Sequence, residues 1–228
     1  MKVGILGGSF DPIHNGHIHM AVSAYQTFGL DQVWLIPAGH SPNKDEEKMT
    51  SGEYRYEMCQ IATKTDNKLY VSRMELDCPE RSYTYRTLEK LVEQYPENEF
   101  YFIMGGDSLD YLETWKHPEI ITALAIILVV PRYPFEPEVL NAKIDRLKEL
   151  FARDIRLIPC PEYPISSTAI ISGAMERSRR KIPSAFGHPS SKSVLMPRSL
   201  VGIPRIDAPI SLLSSTTPIL LPGNQFLF

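Results

Sequence analysis

The sequence Gly7-Gly8-Ser9-Phe10-Asp11-Pro12-Ile13-His14-Asn15-Gly16-His17 decides the fold of this chain. It follows an apolar run, Val3–Leu6, that predicts a first β-strand, and it precedes Ile18–Phe28, which predicts a helix. Glycines, two histidines and a helix start therefore come together where the first strand ends. In an open α/β sheet, ligands bind at the carboxyl ends of the strands. The backbone amides of a glycine turn beside a helix N-terminus, with imidazoles three positions apart, suit a polyphosphate.

Composition is that of an ordinary globular protein. The chain has 228 residues, 43% of them hydrophobic and 22% charged, enough for one large domain or a medium one with an appendage. A net charge of -3 gives no reason to expect nucleic acid or an anionic membrane as a partner. The longest apolar run, Ile120–Val130, is too short to span a bilayer. The first apolar run breaks at Gly7, too early for a signal peptide.

The three cysteines favour a reducing compartment. Cys59, Cys78 and Cys160 are scattered and odd in number, and none belongs to a Cys-x-x-Cys pair. Neither a disulfide framework nor a zinc site is therefore predicted. We expect a cytoplasmic protein.

Strand and helix patterns alternate along residues 1–171. This alternation predicts an α/β fold, a Rossmann-like doubly wound parallel sheet in a single domain. The fifth strand, Ala125–Val130, is strongly apolar and is predicted to be central. The apolar face of the helix after Ser51 is predicted to consist of Tyr54, Met58, Ile61 and Ala62. The other predicted strands are Val3–Leu6, Gln32–Ile36, Leu69–Val71, Glu99–Met104 and Ile155–Ile158. The other predicted helices are 18–28, 85–94, a short helix with Leu109 and Leu112, 138–151 and one beginning near Ser167 or Thr168.

The character of the sequence changes near residue 172. Residues 172–228 contain seven prolines and ten serines, with seven basic and two acidic side chains. The tail carries +5 (seven minus two), which leaves -8 for residues 1–171 within the total of -3. Because the prolines exclude any long helix there, we expect a basic, mostly irregular and poorly ordered C-terminal tail.

Two common nucleotide-binding patterns are absent from the first turn. It has neither the Gly-x-Gly-x-x-Gly of dinucleotide sites nor the P-loop pattern. The stretch instead resembles the nucleotidyltransferase signature, whose core is His-x-Gly-His preceded by Thr or Ser-Phe-Asp-Pro. The resemblance implies that the turn and its histidines hold the phosphates of ATP. The residues it assigns to ATP here are Gly7, Gly8, Ser9, Phe10 and Gly16, with His14 and His17 as catalytic residues.

A second stretch, Ile165-Ser166-Ser167-Thr168-Ala169-Ile170, has three hydroxyls at a predicted helix start, which by itself is typical of an N-cap. It resembles the Ile-Ser-Ser-Thr-x-Ile-Arg motif of the same enzymes. The resemblance implies that Ser166, Ser167 and Thr168 contact ATP phosphates. Ile171 stands where the motif has arginine, which removes a charge expected to stabilise the triphosphate and the leaving pyrophosphate.

Further stretches resemble bacterial nicotinate-nucleotide adenylyltransferases. Gly105-Gly106-Asp107-Ser108 followed by Trp115 is similar to their Gly-Ala-Asp-x-Leu…Trp stretch, which implies that Gly105 and Asp107 bind ATP and that Trp115 stacks on the pyridine ring. Without the resemblance, Asp107 fits a helix cap or a ribose contact, and Trp115 fits the core. Ser82-Tyr83-Thr84 by itself is typical of a helix cap. It resembles the segment whose backbone holds the nicotinate carboxylate, which makes Thr84 an acceptor-binding candidate, although Arg86 stands where Asp is frequent.

Two segments after the second strand carry weaker resemblances. The polar loop Pro37–Lys44 aligns with the Pro-Pro-His-Lys loop of the family, with Asn43 in place of the histidine. This makes Lys44, otherwise an ordinary solvated lysine, a catalytic phosphate ligand. Tyr54–Met58 resembles a segment containing Arg-Tyr-Glu-Met, which we interpret as structural.

The resemblance covers residues 1 to about 170 and implies one reaction. ATP and nicotinate mononucleotide give nicotinate adenine dinucleotide and pyrophosphate, by direct in-line attack without a covalent intermediate. Mg²⁺ is expected to arrive with ATP, since no carboxylate cluster suggests a metal site built by the protein.

Three alternatives remain open on the sequence. A sister nucleotidyltransferase would use another phosphate-bearing acceptor, such as phosphopantetheine. The chain could instead be a nucleotide-binding protein with impaired catalysis, which would account for isoleucine in place of arginine at position 171. The tail could also be an acquired or out-of-frame C-terminus. The sequence leaves open whether the chain forms a homo-oligomer and whether it prefers the nicotinate or the nicotinamide form.

Overall fold

The computed structural model describes residues 1–41, 49–131, 136–159 and 166–180, with side chains up to residue 173. Strands and helices alternate through these residues, as the sequence predicted. The strands are β1 (Lys2–Gly8), β2 (Gln32–Pro37), β3 (Leu69–Val71), β4 (Glu99–Gly105), β5 (Ile126–Val130) and β6 (Ile155–Leu157). The helices are α1 (Asn15–Phe28), α2 (Gly52–Thr63), α3 (Thr84–Gln94), α4 (Gly106–Leu109), α5 (Pro118–Leu124), α6 (Pro137–Phe151) and α7 (Ser167–Arg180).

The six strands form one parallel sheet in the order β3-β2-β1-β4-β5-β6. The chain runs outward from β1 to β3 and then returns to place β4 against the other side of β1, with Ile5 opposite Phe102. This reversal confirms the doubly wound Rossmann-like fold. It also leaves a crevice at the carboxyl ends of β1 and β4, where such sheets bind ligands.

Both faces of the sheet are covered by helices. Neighbouring strand residues point to opposite faces, so Ile5 lies in one core cluster and Leu6 in the other. The first cluster packs the sheet against α3, α5 and α6, and the second packs it against α1 and α2. Burial on both faces explains why the strands are nearly continuous apolar runs.

The position of β5 differs from the prediction of a central strand. It is buried, but it lies between β4 and the edge strand β6, and the middle of the sheet is formed by β1 and β4. An apolar strand indicates that both faces are covered. It does not indicate how far the strand lies from the edge.

The predicted apolar face of α2 is wrong. Tyr54 is 62% exposed and Ile61 is 65% exposed, whereas the buried residues of the helix are Arg55, Cys59 and Thr63, spaced four apart. The pattern failed because the largest side chain that this helix buries is an arginine, which any hydrophobic count assigns to solvent.

Helix α5 was not predicted. It occupies the first half of the apolar run Ile120–Val130 and leads directly into β5. A continuous apolar run hides the change from helix to strand because neither periodicity is visible in it.

Helix α7 continues through the predicted domain boundary at 171 and ends at Arg180. The first proline of the tail is Pro183, so the prolines do not interrupt this helix. Met1–Pro183 forms the first of two units of the chain, and the rest of the tail predicted over 172–228, residues 181–228, lies outside the described residues. Among the helices described, none has the length and apolar character needed to cross a membrane.

Candidate active site

The turn between β1 and α1 is shaped by a buried phenylalanine. Phe10 is 1% exposed and has a φ of 47°, a left-handed conformation that costs a non-glycine residue free energy. Its ring packs in the second core cluster and contributes the compensating apolar burial. A Cβ on Gly8 would lie 3.3 Å from this ring, so residue 8 has little room for a side chain.

The two signature histidines stack on each other at the start of α1. Their ring centroids are 3.8 Å apart, with 26° between the planes. The His14 N–H donates to Nδ1 of His17 at 3.3 Å, and the edge of Phe10 meets the His17 ring at 5.0 Å. Gly16, which precedes His17 in the first helical turn, is buried. Residues three positions apart thus present one stacked imidazole pair at a helix N-terminus.

His17 is neutral at physiological pH. Burial and, secondarily, the neighbouring His14 lower the pKa of His17 to about 3. Because Nδ1 accepts the bond from His14, the proton of this neutral ring lies on Nε2. His17 is therefore a hydrogen-bond donor without a formal charge, which refines the expectation of a phosphate-binding imidazole.

The start of α7 lies against the same turn. The Ser166 hydroxyl caps the helix by accepting the Ala169 N–H at 3.2 Å, as expected for an N-cap. Ser167 Oγ donates to the Pro12 carbonyl at 2.8 Å, while Thr168 is exposed. The predicted ATP residues of both motifs therefore lie together. Ile171, 41% exposed, is at the position where the motif has arginine.

The end of β4 carries the third group of predicted ATP-binding residues, Gly105 and Asp107. A Cβ placed on Gly105 would meet nothing within 4 Å, so this strand end faces open space. Asp107 is exposed in the first turn of α4. Because β4 pairs with β1, this end lies at the same edge of the sheet as Gly7 and Gly8.

The two predicted acceptor residues lie on segments that touch. Thr84 is the first residue of α3, and half-buried Trp115 packs edge-on against Phe102 at 6.1 Å. The rings of Tyr85 and His117 meet at 4.7 Å, and Lys116 Nζ lies 4.8 Å from the centre of the Tyr83 ring. These contacts join the start of α3 to the segment that carries Trp115.

The interpretation of Ser82-Tyr83-Thr84 as a simple cap is wrong. Tyr83 occupies the N-cap position without a side-chain bond to the helix. The Ser82 hydroxyl instead accepts the Gly39 N–H at 3.0 Å, and the Ser82 N–H donates to the His40 carbonyl at 2.9 Å. The predicted acceptor segment, Ser82–Thr84, is therefore fastened to the residues that follow β2.

A partly buried carboxyl group, Glu75, organises this junction and was not predicted. The Thr87 hydroxyl donates to it at 2.6 Å, Ser82 also bonds to it, and burial raises the pKa of the Glu75 carboxyl. A Cβ on Gly39 would lie 2.1 Å from the Glu75 carbonyl oxygen, so only glycine fits there. In the sequence, Gly39 was the only sign of this junction, since a glycine can mark a close approach of two chain segments. Which segment approaches Gly39 could not be known without the fold.

Two further predictions concern phosphate and metal ligands. Lys44 and Asn43 lie outside the described residues, so the lysine stays a prediction. Within the described ranges, no group of three or more His, Cys, Asp or Glu side chains could hold a metal ion.

Known proteins share both sequence and fold with this chain. Residues 5–173 match the family described as cytidylyltransferase-like. A relative from Clostridium novyi, named "Probable nicotinate-nucleotide adenylyltransferase", is 37% identical over 169 residues, covering 74% of this chain and 84% of the relative. A relative of the same name from Clostridium kluyveri is 35% identical over 179 residues, with 77% and 88% covered. Plasmodium falciparum nicotinic acid mononucleotide adenylyltransferase complexed with NaAD has a TM-score of 0.60 at 22% identity, covering 74% of this chain and 81% of that chain, which is a likeness of fold.

Proposed function

Because this chain belongs to the cytidylyltransferase-like family, we propose that it transfers the adenylyl group of ATP to nicotinate mononucleotide. The products are nicotinate adenine dinucleotide and pyrophosphate. The observation that carries the proposal is the junction of the starts of α1 and α7, where Ser167 bonds to the Pro12 carbonyl beside the stacked histidines. The names of the relatives, at 35% and 37% identity, support the choice of acceptor.

The junction suits a triphosphate. The N-termini of α1 and α7 present backbone N–H groups and the positive ends of two helix dipoles to the same place. His17 adds a neutral Nε2–H donor, and Ser166 to Thr168 add hydroxyls. These groups stabilise negative charge without a proton transfer, which suits charge that grows on the α-phosphoryl group and the departing pyrophosphate.

The acceptor needs little chemical activation. Its attacking atom is a phosphate oxygen that is already ionised at neutral pH, so no general base is required. The barrier lies in bringing two polyanions together in line and in neutralising their charge. The Glu75–Ser82–Gly39 network supports this step by linking the acceptor segment to the β2 end of the phosphate site.

Two residues are proposed to hold the pyridine nucleotide. Trp115 presents a half-buried indole for ring stacking, with Phe102 behind it. Thr84, at the start of α3, offers the free backbone amide of a helix N-terminus to the nicotinate carboxylate. This pairing of an aromatic face with an anion-binding amide favours the nicotinate form.

Mg²⁺ is proposed to enter as the ATP complex. The described residues hold no cluster of metal-ligating side chains that fits a resident ion. Mg²⁺ keeps mostly phosphate and water ligands in such complexes and withdraws charge from the phosphate oxygens. We propose the cytoplasm as the setting, which the free thiols of Cys59 and Cys78 support.

An acceptor comparison tests the proposal. Pyrophosphate release is measured with MgATP and, in turn, nicotinate mononucleotide, nicotinamide mononucleotide or phosphopantetheine. Nicotinate mononucleotide should give the highest kcat/KM. A preference for phosphopantetheine would replace the proposal with a sister nucleotidyltransferase.

A nucleotide-binding protein with impaired catalysis is the second candidate. The exposed aliphatic side chain of Ile171 at the start of α7 favours it, since a cation is expected there. Calorimetric ATP binding without pyrophosphate release from any of the three acceptors would establish this alternative.

A further inference from the structure

We infer that Arg55 is a positioning residue for the ATP phosphates, because its buried guanidinium holds the Ser9 carbonyl and so aims the backbone amides of the first turn. The inference rests on the proposed function only in taking ATP as the ligand of that turn.

Arg55 is inserted from α2 into the interior and is 2% exposed. Its three hydrogen bonds reach three separate segments: Nη1 donates to the Ser9 carbonyl at 2.8 Å, Nη2 to the Ala38 carbonyl at 2.7 Å, and Nε to the Thr50 carbonyl at 2.9 Å. One planar group thus joins the first turn to the residue after β2 and to the residue before the N-cap of α2. Lysine has no such fork of fixed donors.

The charge of this group is placed beside the phosphate turn. Burial lowers the pKa of Arg55, and the nearby Asp11 carboxylate opposes that shift, so the guanidinium stays protonated. Its three acceptors are neutral carbonyls, and Asp11 also accepts the Thr50 N–H at 2.9 Å. A buried cation is costly to retain for stability alone. The buried guanidinium would have a function if its positive potential favours binding of the ATP phosphates at the adjacent turn.

Peptide geometry links these bonds to the ligand. The Gly8 carbonyl accepts the Ala38 N–H at 2.9 Å, and the Ser9 carbonyl accepts Arg55. In a trans peptide the N–H points opposite to the C=O. Because these two carbonyls face Ala38 and Arg55, the N–H groups of Ser9 and Phe10 point the opposite way, which leaves them available to the ATP phosphates. Loss of the guanidinium frees the Ser9–Phe10 peptide to rotate.

The test compares ATP binding with acceptor use in three variants. Arg55→Met removes the charge and all three donors, and Arg55→Lys keeps the charge but not the fork. Arg73→Met is the matched control, since Arg73 bonds Glu53 of the same helix at 2.6 Å on the exposed surface. We measure the Kd of ATP calorimetrically without acceptor, both KM values, and the thermal midpoint to confirm that each variant is folded.

We expect the Kd of ATP to rise by about tenfold or more in Arg55→Met, because the N–H groups of the first turn would no longer be held in position. The Kd of ATP should rise less in Arg55→Lys and remain unchanged in Arg73→Met. In all three variants the KM of the acceptor should stay within about twofold of the wild-type value. Equal rises in the Kd of ATP and the KM of the acceptor, or an unchanged Kd of ATP in a folded Arg55→Met variant, would overturn the inference. Failure of both Arg55 variants to fold would assign the residue to domain stability and overturn it too. Since ATP binding is measured without acceptor, failure of the proposed reaction in the wild type is a separate result.

Discussion

The hydroxyl of Ser167 donates a 2.8 Å hydrogen bond to the carbonyl of Pro12, across 155 residues of sequence. The bond links the start of α7 to the turn that follows β1. In the proposed function, this contact joins two helix N-termini, each weak alone, into one site for the ATP phosphates. The segment Ser82–Thr84, proposed to bind the acceptor, is fastened to the residues after β2 by the hydrogen bond between the Gly39 N–H and the Ser82 hydroxyl.

Removing this link should weaken ATP binding. In Ser167→Ala the Pro12 carbonyl loses its donor, and we expect the Kd of ATP to rise about fivefold, corresponding to about 1 kcal/mol for one hydrogen bond. Ser172→Ala, at an exposed position of the same helix, is the control and should leave the Kd unchanged. Identical calorimetric titrations of the two variants would contradict a joint site.

Truncating His17 should reduce turnover much more than stability. Removal of one donor to a developing negative charge costs about 3 kcal/mol, or about a hundredfold in kcat. His17→Asn, which keeps a neutral donor, should lose less activity than His17→Ala. His19→Ala is a control on the same helix. Unchanged turnover in folded His17→Ala would exclude His17 from the phosphate site.

The pKa of His17 predicts a specific pH dependence of stability. The unfolded histidine binds a proton near pH 6.5, whereas the folded one resists protonation down to about pH 3. Between these values the unfolded state binds more protons, so stability is lost as the pH falls. From pH 7.5 to pH 5 we expect the wild type to lose about 2 kcal/mol more than His17→Asn. Urea unfolding at both pH values measures the difference. Equal losses of unfolding free energy in the wild type and in His17→Asn would contradict the prediction.

Restoring the arginine at position 171 should improve catalysis. Ile171 is 41% exposed, so a longer side chain fits without repacking the core. In Ile171→Arg the added charge should raise kcat by about tenfold or more by stabilising the leaving pyrophosphate. Ser172→Arg adds the same charge one residue away and serves as the control. Equal kcat values in the wild type and Ile171→Arg would show that this site does not depend on a cation there.

Local sequence was most informative where chemistry and structure are set by neighbouring residues. The strand, turn and helix from β1 to α1 were predicted because glycines, histidines and apolar periodicity lie within 30 consecutive positions. An N-cap among the hydroxyls of Ser166, Ser167 and Thr168 was predicted for the same reason, and the structure assigns it to Ser166. Strand order, the position of β5 and the polar contacts of Ser82 were not, because each depends on segments distant along the chain.

The sequence alone determined the alternation of strands and helices and the residues available at the first turn, since both follow from short-range periodicity and residue type. Tertiary structure decided which charges those residues carry and what holds them. His17 is neutral because burial and His14 remove its proton. Arg55 is a core residue because carbonyls from three segments of the chain converge on its guanidinium. Desolvation and hydrogen bonding depend on what surrounds a group in space, and those surroundings arise only when the sheet is assembled.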